Sequence, residues 1–217
     1  SSNSNVQYYG CGALLNLANN NNNNKVTIAE TGGITTILSA MKTHWSNANV
    51  QHLGCGALNN LAVDENNKVT IAKAGGITLI LSAMKFFPSN AYVQHFGCAA
   101  LLKLSVNENK KVTIAEAGGI TTILSLMKNH SSNFNLQHYG CAALNNLADN
   151  NENNKETISE GGGIPMILSA MKTHSSNANV QYSSCGALWN LALNNDYNKM
   201  AISDASGKAA IEAAIRN

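Results

Sequence analysis

Apolar residues recur along this chain in two alternating helical stripes. In the stretch ITLILSAM, residues 77–84, the positions Ile77, Ile80, Leu81 and Met84 follow an i, i+3, i+4, i+7 spacing. That spacing gathers them on one face of an amphipathic helix. In NVQHLGCGALNNLA, residues 49–62, Val50, Gly54, Ala57, Leu58 and Leu61 form a second stripe. A shorter helical piece, residues 67–73, precedes the first stripe and runs into Gly75 and Gly76. Glycine is favoured where a helix stops in a left-handed conformation, so the pair predicts a sharp turn between two helices. Lys85 stands at the end of the second helix, where a cation suits the negative pole of the helix dipole, and Lys42, Lys128, Lys172 and Arg216 take the matching places.

The whole pattern repeats. Cys11, Cys55, Cys98, Cys141 and Cys185 mark the same register every 43–44 residues, and the glycine pair returns at Gly32–Gly33, Gly118–Gly119 and Gly162–Gly163. One period cannot bury its own apolar faces, so the copies must stack on one another as a solenoid. Gly10, Gly54, Gly97 and Gly140 fall on the buried stripe of the third helix. An interior glycine costs a helix about 1 kcal/mol relative to alanine, and close approach of neighbouring helices is the compensation expected here.

Composition narrows the partners. The 217 residues are 44% apolar and 12% charged, with a net charge of +2. Nucleic-acid binding rests on clustered Lys and Arg, so nucleic acid is not the expected partner. No apolar run approaches the roughly 18 residues that span a bilayer, and no signal-peptide pattern is present, so membrane insertion is not expected. Ser1 is read as a processed terminus or the start of a fragment. Asparagine is the outlier, with 34 residues, and its unbroken run at 19–24 reads as a solvated loop.

His52 and Cys55, His95 and Cys98, and His138 and Cys141 are each three residues apart, a spacing that raises nucleophile or metal chemistry. The cysteines lie toward the buried stripe, whereas a reactive thiol must be activated and accessible. Matching positions on successive helices are a helix-packing distance of roughly 8–10 Å apart, too far for one zinc ion or one disulfide to bridge. Neither a metal, a cofactor nor a catalytic constellation is expected, and reduced cysteines indicate a cytoplasmic or nuclear setting. His44, His130 and His174 follow the second helix and read as solvated.

A repeat of this length, with a short helix, a glycine-marked turn and two longer helices, resembles the armadillo repeat. The most specific elements are AGGI between the first two helices and ALxNLA in the third. HEAT repeats are the nearest alternative, but they have two helices and lack the glycine-marked break. The resemblance implies an all-α, right-handed superhelical armadillo-like α-solenoid of three-helix repeats over residues 1–217. A third helix at 4–18 would be followed by repeats at about 24–62, 67–105, 110–148 and 154–192, and by capping helices at 197–217. Lys208 and Glu212 replace apolar residues in the last copy, as a solvent-facing cap requires.

In that family the third helices line a concave groove for extended peptides, and an asparagine on each holds the peptide backbone. Asn16, Asn60, Asn146 and Asn190 match, while Lys103 replaces the middle one and would favour an acidic residue opposite it. Tyr8, His52, His95, Phe96, His138, Tyr139, Tyr182 and Trp189 are expected as groove walls. Peptide-binding members often carry Trp four residues before the asparagine; here Gly12, Gly56, Ala99, Ala142 and Gly186 stand there, implying a shallow floor. The resemblance thus implies a non-catalytic scaffold that binds a partner protein. The alternative is a structural subunit of a larger assembly, docking through an N-terminal edge that missing residues or a partner would cover, or through its convex face.

Overall fold

Each apolar stripe lies on a helix in the computed structural model, which describes residues 3–216. The first, second and third helices of successive copies follow one another in a fixed order. A lone third helix, α1 (Ser4–Ala18), comes first. The next two copies are α2 (Asn22–Glu30), α3 (Gly33–Thr43) and α4 (Ala48–Leu61), then α5 (Glu65–Lys73), α6 (Gly76–Phe86) and α7 (Ala91–Leu104). After these come α8 (Glu108–Glu116), α9 (Gly119–Asn129) and α10 (Phe134–Ala148), then α11 (Glu152–Glu160), α12 (Gly163–Thr173) and α13 (Ala178–Ala192). The last two helices are α14 (Asp196–Asp204) and α15 (Gly207–Arg216). No strand occurs among the described residues, and no single helix there is long and apolar enough to cross a membrane. Residues 1, 2 and 217 of the expected domain lie outside the described residues.

Two compact units divide the chain, one ending at Ala117 and the other starting at Gly118. In the first, α1, α4 and α7 stack side by side; in the second, α10 packs against α13. Val50, Ala57, Leu58, Leu61, Ile77, Ile80, Leu81 and Met84 are all buried, so both stripes form core as their spacing requires.

The third-helix glycines do bring helices together. A Cβ on Gly54 would stand 2.5 Å from Met41 Cγ, on Gly97 2.6 Å from Met84 Cγ, and on Gly140 2.5 Å from Met127 Cγ. Gly10 differs from the expectation: it is exposed, with open space where its Cβ would be, and among the described residues no second helix packs against it as α3 does against Gly54. In α13 the same place is held by Ser184, which is fully buried and hydrogen-bonds Cys141 Sγ through Oγ at 3.3 Å.

Asparagine has structural work throughout. Asn3, Asn21, Asn47, Asn90, Asn107, Asn133, Asn151, Asn177 and Asn195 are N-caps whose side chains accept from backbone N–H groups of the first turn. Such caps each stabilise a helix by about 1 kcal/mol. The run at 19–24 is only half a loop: Asn19 and Asn20 form the exposed turn after α1, Asn21 caps α2, and the following three asparagines begin that helix. The histidines after the second helices are half-buried rather than solvated, and His174 Nε2 lies 2.8 Å from the Ser131 carbonyl oxygen.

A further rung ties each first helix to the third helix before it. Asn24, Asn67, Asn154 and Asn198 donate through Nδ2 to the carbonyls of Leu17, Leu61, Leu147 and Leu191 at 2.9, 3.2, 2.9 and 3.0 Å. Lys110 stands in the matching place on α8. It is 6% exposed, and its Nζ has no hydrogen-bond partner. Burial lowers its pKa from the usual 10.5, against an opposing pull from the Glu65 carboxylate. Lys110→Asn is expected to stabilise the first unit by about 1–3 kcal/mol, the cost of a buried unpaired polar group. Urea unfolding checks it. A lysine whose folded pKa is depressed destabilises while it is charged, and that burden lifts as pH rises from the folded pKa toward 10.5. The advantage of the asparagine variant should therefore shrink with rising pH across that window.

Candidate functional site

The wall and floor residues follow the faces of the third helices, and the two units treat them differently. In the first unit neighbouring side chains occupy the expected floor. The Leu53 Cδ1 lies 3.3 Å from where a Gly12 Cβ would be, and Leu15 and Phe96 both lie 3.2 Å from the Gly56 position. Gly56 and Ala99 are buried. The small residues here thus receive a large side chain from the next third helix, which is a packing use of the same space.

The walls of the first unit are aromatic and neutral. His52 is half-buried, stacked on Phe96 at 6.3 Å between centroids and 19° between planes, with Tyr92 at 5.8 Å. His95 meets Phe96 edge-on at 5.1 Å. Desolvation lowers the pKa of both histidines below the usual 6.5, with the Ala48 carbonyl at 3.3 Å from His52 Nδ1 opposing the shift. Both imidazoles therefore stand uncharged at neutral pH. Tyr8 is half-buried against Cys11, Ala40 and Val50, whereas Tyr9, Asn16 and Lys103 are exposed.

In the second unit the floor opens. Position 183, which would cover Ala142 in the register of Leu53 over Gly12, is a buried serine. The space an aromatic or leucine would fill becomes a cleft of about 540 Å³ between α10 and α13. His138, Ala142, Asn145, Asn146, Tyr182, Gly186 and Trp189 line it, so expected walls, floor and amide residues converge there. Tyr182 is 83% and Trp189 70% exposed. His138 Nδ1 lies 3.1 Å from the Asn179 carbonyl oxygen and its ring stands 5.2 Å from that of Tyr139.

The asparagine row is partly engaged within the protein. Asn60 donates through Nδ2 to the Leu15 carbonyl at 3.0 Å, and its Oδ1 accepts from Asn59 Nδ2 at 3.3 Å. Asn190 Nδ2 donates to both the carbonyl and the Oδ1 of Asn145, at 3.1 and 2.9 Å. These amides bridge adjacent third helices, a use that their spacing alone did not disclose.

Four of the five cysteines are buried thiols. Burial pushes Cys55 and Cys141 up to about 12 and Cys11 to about 11. Cys185, half-buried beside the cleft, is raised for the same reason. A thiol in that state supplies little thiolate at neutral pH. Among the described residues no group of three or more His, Cys, Asp or Glu side chains is arranged to hold a metal ion.

Comparison with known proteins adds the family. The family model described as LRRK2 ARM repeat matches residues 36–216. No curated protein matches the sequence. Among solved structures, an engineered protein from a structural genomics consortium superposes with a TM-score of 0.84 at 22% identity, over 98% of this chain and 83% of that one. A designed armadillo repeat protein in complex with the peptide (KR)4 gives 0.80 at 16% identity, over 93% of this chain and 82% of that one. A chain from work on a phosphorylation switch in the interaction between cadherin and beta-catenin gives 0.79 at 18% identity, over 96% of this chain and 38% of that one. At these identities the likeness establishes the fold.

Proposed function

The chain belongs to the LRRK2 ARM repeat family, and from that premise we propose that it is a non-catalytic protein-recognition module whose third helices hold an extended segment of a partner protein. The observation that carries this reading is the α10–α13 cleft, where two highly exposed aromatics flank a floor of small residues. Exposed Tyr and Trp beside a cavity are the residues that most often anchor a protein partner. The peptide held by a designed armadillo neighbour supports the same use of the fold.

In this reading Trp189 and Tyr182 select side chains in the second unit, and His52, His95 and Phe96 offer a neutral aromatic surface in the first. The segment's backbone meets the amides of Asn16, Asn60, Asn146 and Asn190 through whatever donor and acceptor capacity their helix-bridging bonds leave. Lys103 favours an acidic side chain. The expected ligand is therefore apolar or acidic rather than strongly basic, and it is met in the cytoplasm or nucleus.

A peptide-display screen against the protein and its Tyr182→Ala, Trp189→Ala double variant tests this. Both side chains are exposed, so the variant should keep the parent's unfolding midpoint. Selected peptides should bind it at least about tenfold more weakly, as loss of aromatic anchors implies. Peptides that bind parent and variant alike would remove the cleft from the reading, and an empty screen would favour an assembly subunit.

A further inference from the structure

The first helices of the second unit carry a different kind of site. On α11, Glu152, Glu156 and Glu160 are spaced four apart and so share one face. Glu156 is the departure: Val26, Val69 and Val112 occupy its place in the earlier copies. Glu152 is paired with Lys155 Nζ at 2.7 Å, whereas among the described residues neither Glu156 nor Glu160 forms an ion pair. Facing this row across a cleft of about 530 Å³ is α14, which contributes Asn195, Tyr197 and Asn198. Tyr197 is itself a departure, standing where Asn23, Asn66, Asn109 and Asn153 stand in the other copies, and it is 76% exposed.

A second observation points to a ligand. Asn198 is 1% exposed, and its Nδ2 is used on the Leu191 carbonyl at 3.0 Å. Its Oδ1 has no partner, and neither does the buried Oγ of Ser159; both residues line the cleft. The lining residues thus bring two unpaired carboxylates and an aromatic face together with an amide oxygen and a hydroxyl that are buried and unpaired. Acceptors outnumber donors, which suits a cation rich in N–H donors.

We propose that this cleft receives an arginine side chain from a partner protein. A guanidinium offers five donors in a planar fork, is weakly hydrated, and stacks on aromatic rings, which matches dispersed acceptors beside Tyr197 better than a compact ammonium does. A metal ion fits less well, because among the described residues no group of three ligating side chains is arranged for one. The site is independent of the third-helix cleft and of any segment bound there.

Calorimetric titration with acetyl-tetra-arginine amide tests the proposal, beside the tetra-citrulline and tetra-lysine peptides. Glu156→Val and Tyr197→Asn restore the residues that other copies of this repeat already carry, so both variants should fold. Arginine binding should fall at least about tenfold in Glu156→Val and at least about threefold in Tyr197→Asn, and should be unchanged in Trp189→Ala. Citrulline keeps the shape without the charge and should bind at least about tenfold more weakly. The Asn198 side-chain amide resonances should shift on addition of the arginine peptide. Failure of tetra-arginine to bind, equal binding of citrulline, or binding insensitive to Glu156→Val would each overturn the site. Loss in Trp189→Ala would overturn it as well, by placing the peptide on the third helices. Equal binding of tetra-lysine would overturn the choice of guanidinium.

Discussion

Gly76→Ala is expected to destabilise the first unit by about 3 kcal/mol, the upper end for forcing atoms into a filled core. Gly75→Ala should cost about 1 kcal/mol. The two neighbours are glycine for different reasons. Gly75 has φ +78°, in the left-handed region, yet nothing lies within 4 Å of where its Cβ would be. Alanine there meets only backbone strain. Gly76 is not left-handed, but its Cβ would fall 2.5 Å from Ile71 Cγ2 and 2.8 Å from the Ile71 carbonyl oxygen. A methyl can shift; a carbonyl at the end of α5 cannot move without disturbing the turn. The last copy makes the same distinction naturally, with Ser206 at φ 63° in the first place and glycine retained at Gly207 in the second. Urea unfolding of both variants checks the order, and a larger loss for Gly75→Ala would refute the assignment. Gly75→Asn should fall below Gly75→Ala, since asparagine tolerates that conformation.

Gln94→Leu is expected to cost about 3 kcal/mol. Gln94 is 2% exposed, and its Nε2 donates to the carbonyls of Met84 at 2.7 Å and Phe87 at 2.9 Å. Those carbonyls belong to the end of α6, where the last turn lacks intrahelical partners. One amide therefore closes the second helix and fixes the third against it. Gln51, Gln137 and Gln181 do the same for Met41 and His44, Met127 and His130, and Met171 and His174. Leucine fills the volume but leaves two buried acceptors without donors. Chemical denaturation measures the loss, and hydrogen exchange at the end of α6 should accelerate in the same variant. A change under about 0.5 kcal/mol, the range of ordinary surface substitutions, would show that the carbonyls find other donors.

The helices, their order and their buried faces were legible because hydrophobic spacing and register are local properties that recur five times. Ile80 and Leu58 are core for the reason their periodicity states. The polar framework was harder to read. Gln94 and Asn67 look like ordinary polar positions until the carbonyls they reach are known, and those belong to other helices. Recurrence was the available signal for both, in every copy for the glutamine and in every copy but that of Lys110 for the asparagine. The candidate floor shows the same limit. Gly56 and Ala142 hold the same place in the repeat, but Phe96 covers one while the other lines an open cleft beside Ser183. What decides between packing and access is the size of a residue on the next helix, about 40 positions away.

The methionines that rest on the third-helix glycines carry one more consequence. Met41, Met84 and Met127 are each 1% exposed, and their sulfurs lie 2.7–2.8 Å from the point a Cβ would take on Gly54, Gly97 and Gly140. A sulfoxide adds an oxygen to that sulfur, and the space has already been given up to the helix approach. Peroxide can therefore reach these residues only when a repeat opens, and the product cannot be re-enclosed as the thioether was. Met200, 67% exposed on α14, reacts without any opening. Oxidation of this protein is thus set by exposure at its surface and by opening in its core, each buried sulfur recording an excursion of its own repeat.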